Sequence, residues 1–198
     1  MFTEPYLNSY PGKKGSGWIE VICGPMFSGK TEELIRRVRR AVIAGQTVKI
    51  FKPAIDTRYH EMYVVSHNQN QVESVTVESA QEILGKTGKA HVIGIDEAQF
   101  FDDGLMDVCN HLANEGHRVL ISGLDMDFEG KPFGPMPNIL CIAEFVTKLH
   151  AICPQTGELA SFSFRLNDLD DKVLLGEKDL YEPRSRSAFM EGMSKKKD

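Results

Sequence analysis

Residues 24–31 read GPMFSGKT and fit the pattern G-x-x-x-x-G-K-[S/T]. The flanks constrain the fold more than the pattern does. A short β-prone run, WIEVIC, leads in, and apolar residues lead out at Leu34, Ile35, Val38 and Val42, which is helical spacing. A strand, a glycine loop and a helix in that order point backbone N–H groups and the positive end of a helix dipole at one place. That arrangement suits phosphate. Gly24, Pro25, Met26, Phe27, Ser28 and Gly29 would form the cradle, Lys30 would reach the β- and γ-phosphates, and the Thr31 hydroxyl would ligate Mg²⁺. The bland alternative is an ordinary glycine turn.

The rest of the chain agrees with an α/β reading. TVKIF (47–51) is a strand stopped by Pro53, and a strand and a helix are expected within 72–84. HVIGID (91–96) and RVLISG (118–123) are nearly uninterrupted apolar runs, the mark of strands buried on both faces of a parallel sheet. Between them Leu105, Val108, Cys109 and Leu112 share one side of a helix closed by Gly116. Such alternation predicts crossover connections: a P-loop, RecA-like, mostly parallel sheet with helices on both faces over 17–147. After about Lys148 the texture changes to LASFSFRL and KVLLG, joined by an acidic loop. This predicts a small β lobe over 148–190, with loosely held tails at 1–16 and 191–198.

Charge and cysteine usage exclude some roles. A net charge of −5 gives no case for nucleic acid or an anionic membrane. No apolar run approaches the roughly 20 residues that span a bilayer. The N-terminal stretch lacks the apolar core of a secretory signal, so a cytoplasmic protein with reduced thiols is expected. Cys23, Cys109 and Cys141 read as small core residues. Arg36, Arg37, Arg39 and Arg40 fill the polar side of the first helix and read as a solvated face, with a basic binding patch as the alternative.

Further candidates fall at strand ends. Asp96 closes a buried strand where folds of this kind hold Mg²⁺, and Glu97 follows at the mouth of the site, placed to take a proton from an attacking hydroxyl. Glu97 could instead cap the next helix. Asp56 and Arg58 lie after another strand, on the same ligand-binding edge, where Arg58 could meet a transferring phosphoryl group or the two could form a plain surface pair. Phe100, Phe101, Phe128 and Phe133 fall near that edge, either as core under a long loop or as a platform for a flat base.

Together GPMFSGKT, KPAIDTRY, IDEAQFF and GLDMDFEGKPFG resemble, in order and spacing, the thymidine kinases shared by bacteria, poxviruses and the animal cytosol. The resemblance runs from about Gly17 to Tyr181. It implies transfer of the ATP γ-phosphate to the 5′-hydroxyl of thymidine or deoxyuridine, with Mg²⁺. It makes Glu97 the general base and assigns Lys30, Thr31, Asp56, Arg58 and Asp96 to phosphates and metal. Met26, Phe100, Leu124 and Phe128 would line the base pocket. A lasso from the C-terminal lobe, matching Ser163, Val173, Leu174, Leu175, Gly176 and Tyr181, would cover the nucleoside. A homotetramer and feedback inhibition by dTTP belong to the same expectation. The competing readings are a nucleotide-binding regulatory homologue without kinase activity and a P-loop ATPase.

The chain departs from that resemblance at the structural zinc of the lobe. The four family ligand positions carry Cys153, Thr156, Ser185 and Ala188. A hydroxyl or a methyl group cannot replace thiolate on tetrahedral zinc, and if 148–153 is a strand, His150 and Cys153 face opposite ways. No structural zinc is expected. Ile152, Leu159, Phe162, Phe164, Leu166, Leu180 and Phe189 are the candidates for an apolar substitute.

Overall fold

The structure, a computed structural model, describes residues 17–55, 63–64, 72–166 and 180–196. The chain runs β1 (Trp18–Cys23), α1 (Lys30–Ile43), β2 (Val48–Pro53), β3 (Tyr63–Val64), β4 (Val72–Val77), α2 (Gln81–Lys86), β5 (Val92–Ile95), a 3-10 turn (Ala98–Phe100), α3 (Leu105–Asn114), β6 (Arg118–Gly123), α4 (Met136–Ile142) and β7 (Phe145–Lys148). The strands form one sheet in the order β3-β4-β2-β5-β6-β1-β7, parallel except for β3. From β1 the chain crosses through α1 to β2, with β6 and β5 left between them. The phosphate loop therefore opens beside a topological break in the sheet, where such folds bind ligands.

Alternation along each strand builds two cores. Ile19, Val21 and Cys23 of β1 pack with Ile93, Ile95, Val119 and Ile121 under α2, α3 and α4. Ile22, Ile50, Val92 and Leu120 pack on the opposite face with Leu34, Val38 and Ala41 of α1. Helices on both faces explain why β5 and β6 are buried throughout and, Arg118 and Ser122 aside, apolar. The sequence reading assigns nothing to α4 or β7. Pro135 and Pro137 break the helical signal there, and β7 lies at the sheet edge, with alternate residues exposed.

Two expectations about α1 and its surroundings are corrected. Arg37 is not part of a solvated face; it is fully buried. Its guanidinium meets Glu20 Oε2 at 2.9 Å, Glu33 Oε1 at 2.8 Å and Thr147 Oγ1 at 2.9 Å, while Arg118 reaches Glu20 from β6 at 2.6 Å. The helical period places Arg37 on the inner side beside Leu34 and Val38, and the charge is tolerated because Glu20 is buried opposite it. Hydrogen bonds from Arg36, and then Arg37, outweigh burial and hold the Glu33 carboxyl down at about 2. Cys141 is exposed rather than core, because α4 turns that side away from the sheet.

The C-terminal lobe holds two short antiparallel ladders, β8 (Ala151–Ile152) with β9 (Leu159–Ala160) and β10 (Phe162–Arg165) with β11 (Tyr181–Arg184). Helix α5 (Arg186–Lys195) follows directly. The tail expected from 191 onward is thus helical as far as Lys195, anchored by Phe189 one turn earlier. Phe162 stacks on Phe189 with centroids 4.5 Å apart, and Phe164 meets the same ring edge-on at 6.1 Å. Met126 and Met193 close this cluster. Ile152 and Leu159, expected to join it, are paired on the outer side of their hairpin and stay 61% and 62% exposed; Leu166 is exposed as well.

Candidate active site

The loop after β1 takes its shape from glycine geometry and short side-chain ties. Gly24 has φ +142°, and a Cβ there would lie 2.3 Å from the Leu149 carbonyl oxygen, so no other residue fits. Lys30 Nζ and Ser28 Oγ both donate to the Pro25 carbonyl, at 2.7 and 2.8 Å. Phe27 adopts φ +64° and is exposed. Helix α1 begins at Lys30, so Thr31, Glu32 and Glu33 occupy its first turn. Burial pushes the Lys30 ammonium below its ordinary range, while the carboxylates of Glu97, Asp96 and Asp125 oppose that fall. A lysine so placed is poised to gain from an arriving phosphate.

Asp96 lies just beyond β5 and is 2% exposed. Its Oδ1 accepts the Glu97 N–H at 3.0 Å, and its Oδ2 lies 3.8 Å from Lys52 Nζ. Glu97 itself has φ 53° and ψ 42°, a left-handed conformation that costs a non-glycine residue on the order of 1–3 kcal/mol and is held by its surroundings. It makes no side-chain cap to the 3-10 turn, which removes the capping alternative. Its carboxylate instead takes a hydrogen bond from Gln99 Nε2 at 2.5 Å.

The register puts Ser122 of β6 opposite Ile22 of β1 and just past Ile121, the partner of Ile95. Ser122 thus shares the α1 face with Asp96, at the level where β1 enters the loop. Its Oγ is buried and finds no partner among the described residues. Thr31, Asp96 and this hydroxyl are oxygen donors of the kind that suit Mg²⁺ with its retained waters, so the residues present fit that ion. Lys52, Gln99 and Ser122 escape the sequence reading. Their only signal is a polar residue placed at or near the end of an apolar strand.

The residues expected to meet the nucleoside come from three segments among the described residues. Leu124, after β6, donates its N–H to Gln99 Oε1 at 2.9 Å. Phe100 packs edge-on against Phe133, centroids 5.6 Å apart, and both rings are half-buried. Phe128 is half-buried, and one face is covered by the Arg165 guanidinium at 3.7 Å. Ser163 and Tyr181 are buried on neighbouring strands of the lobe, and Ser163 Oγ accepts the Met26 N–H at 2.9 Å, joining lobe to phosphate loop. Asp56, Arg58, Val173, Leu174, Leu175 and Gly176 lie outside the described residues.

The four positions matched to the family's zinc ligands do come together. Thr156 Oγ1 bonds Ser185 Oγ at 3.1 Å, and Ser185 Oγ lies 3.1 Å from Ser187 Oγ. Ala188 packs against Cys153, Ala151 and Ala160. The knuckle turn persists, with Gly157 N–H donating to Cys153 O and Cys153 N–H to Glu158 O, both at 2.8 Å. Burial pushes the Cys153 thiol up. Hydrogen bonds from the Thr156 side chain and from the Ser185, Thr156 and Gln155 backbone outweigh it and bring the thiol down to about 7. Among the described residues no group of three or more His, Cys, Asp or Glu is placed to hold a metal. His150 pairs instead with Ser161, Nδ1 to Oγ 3.1 Å.

Comparison with known proteins agrees with this arrangement. The thymidine kinase family model matches residues 17–189. A thymidine kinase of Bacteroides fragilis is 54% identical over 198 residues, covering 100% of this chain and 98% of that protein. One from Bacteroides thetaiotaomicron is 56% identical over 190 residues, 96% of this chain and 94% of its own. One from Rhodothermus sp. is 55% identical over 189 residues, 96% and 88% respectively. Among solved structures, the flagellar accessory protein FlaH from Methanocaldococcus jannaschii superposes with a TM-score of 0.51 over 73% of this chain and 75% of that one. Its 11% identity makes this a likeness of fold alone. With this family match over residues 17–189 and relatives more than 50% identical along nearly the whole chain, the chain belongs to the thymidine kinase family and is a nucleoside kinase.

Proposed function

We propose that the protein transfers the γ-phosphate of ATP to the 5′-hydroxyl of thymidine, and of deoxyuridine, in pyrimidine deoxynucleotide salvage. The observation that supports this most is the left-handed Glu97, whose carboxylate is turned away from capping and fixed by Gln99 beside Lys30 and Asp96.

In this reading residues 24–29 hold the phosphates through backbone N–H groups, and Lys30 leaves the Pro25 carbonyl for the β- and γ-phosphates. Glu97 accepts the proton of the 5′-hydroxyl as the oxygen attacks phosphorus, and general base assistance of that kind is worth roughly 10²–10⁴ in rate. Arg58 and Asp56 complete the phosphate side. Thr31 and Asp96 would hold Mg²⁺, which when bound supplies charge neutralisation at the phosphates. Met26, Phe100, Leu124 and Phe128, with Ser163, Tyr181 and residues 173–176, enclose the nucleoside, and Arg165 backs the Phe128 ring on one face.

The donor set supports a lobe without structural zinc, since one thiol with two hydroxyls and a methyl group is not a zinc site. About one zinc per chain, in protein purified without chelator or histidine tag, overturns that part. Family membership supports the remaining parts: a cytoplasmic homotetramer that is inhibited by dTTP and binds neither nucleic acid nor membrane. Among the described residues no helix is long and apolar enough to cross a membrane.

ADP release from Mg-ATP, with and without thymidine and with product identification, tests the whole. Thymidine-dependent ADP with dTMP supports the kinase. Thymidine-independent turnover, or none, overturns it in favour of an ATPase or a regulatory binding protein.

A further inference from the structure

Gln99 is a neutral polar side chain that links Glu97 to the segment after β6. It is 2% exposed, inside the 3-10 turn that follows Glu97. Its Oε1 accepts the Leu124 N–H at 2.9 Å, and its Nε2 donates to Glu97 Oε2 at 2.5 Å. The orientation of the amide is dictated rather than chosen. A backbone N–H can be met only by the oxygen, which leaves the NH₂ group for the carboxylate. Gly134, at φ +48°, runs close against Gln99, since a Cβ there would fall 2.2 Å from the Gln99 carbonyl oxygen. Burial and bonds at both amide atoms restrict the side chain to this orientation.

We propose that Gln99 is a positioning residue that sets the Glu97 carboxylate at a fixed distance and angle from the nucleoside-side loop through Leu124. The inference rests on the reading of Glu97 as general base. It adds that the base is tied to the nucleoside-side loop, so the alignment of the 5′-hydroxyl with its base depends on the segment where the nucleoside docks. Removal of this bond costs orientation.

The test compares Gln99→Met, which keeps the length but loses both hydrogen bonds, with Gln99→Glu, which keeps an acceptor for Leu124 and adds a negative charge beside Glu97. For Gln99→Met we expect kcat 10- to 100-fold lower with KM for ATP within two-fold of wild type. Gln99→Glu, which keeps the acceptor for Leu124 but loses the donor to Glu97, should lower kcat at least as far, again with KM for ATP within two-fold. A side chain that merely fills space would lower stability without splitting kcat from KM. A folded Gln99→Met enzyme with wild-type kcat overturns the proposal, and so does a fall in kcat matched by an equal rise in KM for ATP. Glu97→Gln, assayed alongside, separates the two layers. If it retains turnover, the base assignment itself falls. If it is inactive while the Gln99 variants behave as wild type, only the present inference falls.

Discussion

The phosphate edge of the sheet and the C-terminal lobe hold their functional residues by different physical means. Around the phosphate edge, position is imposed by charge and backbone: Glu20, buried within β1 behind the edge and clasped by Arg37 and Arg118, and, at the edge itself, a left-handed Glu97 and a glycine pressed against Leu149. In the lobe, position comes from three phenylalanine rings, two guanidinium groups laid over aromatic faces at 3.5 and 3.7 Å, and a small hydroxyl cluster where the family has a metal. The first kind of construction is brittle, because removal of one partner strands a buried charge. The second is graded, because rings and hydroxyls can be lost one contact at a time. A lobe built in the second way can change its chemistry while the edge it serves cannot.

The largest effect expected is on turnover alone: Glu97→Gln lowers kcat by about 10²–10⁴ while calorimetric ATP binding and the unfolding midpoint stay as in wild type. A fall in ATP affinity of the same size would mean that the edge is not divided as described. Next comes Arg37→Met, which leaves Glu20 facing Arg118 alone and is expected to cost about 3–5 kcal/mol in chemical denaturation. Arg39→Met, on the exposed side of the same helix, is the control and should lie within about 0.5 kcal/mol of wild type. Phe189→Ala removes the ring that both Phe162 and Phe164 contact, and about 3–5 kcal/mol is expected from the lobe. It should raise KM for thymidine well before that for ATP; an equal rise in both would break the contrast drawn above.

The smallest effect concerns Cys153. Its pKa is about 7 in the fold against an ordinary 9.0. Above 9 the thiolate's contribution to stability is fully present, and it is lost as pH falls through 7. The midpoint difference between wild type and Cys153→Ala should therefore widen from pH 7 to 9, and a flat difference would mean that Thr156 and the backbone donors do not hold a thiolate. The triple change Thr156→Cys, Ser185→Cys and Ala188→Cys sharpens the point from the other side. With the four positions already converged, it should bind one zinc per chain by metal analysis.

The parts legible in the sequence were those where one local rule acts alone. The loop of residues 24–31 and the apolar runs of β5 and β6 announce strand, turn and burial without help from distant residues. Asp96 and Glu97 were found because they end such a run. Arg37 was misread because its charge argued for solvent although helical spacing sets it beside Leu34 and Val38, and only the distant Glu20, Arg118 and Thr147 make its burial tolerable. Gln99 was passed over for a related reason: its partners are a neighbour two residues away and a backbone N–H 25 residues on. Ile152 and Leu159 were misjudged because a two-residue hairpin has no second layer to bury both faces.

The contact between Gly24 and Leu149 bears on modularity. The segment that leads from the sheet into the lobe is bonded to β1 by Leu149 N–H to Cys23 O at 2.8 Å, and Met26 is tied to Ser163. The seam near residue 148, where the texture of the sequence changes, is therefore a poor place to cut the polypeptide. A chain split there, or a lobe transplanted from a relative, would disturb the phosphate loop itself. Lobe and loop are better exchanged as one piece.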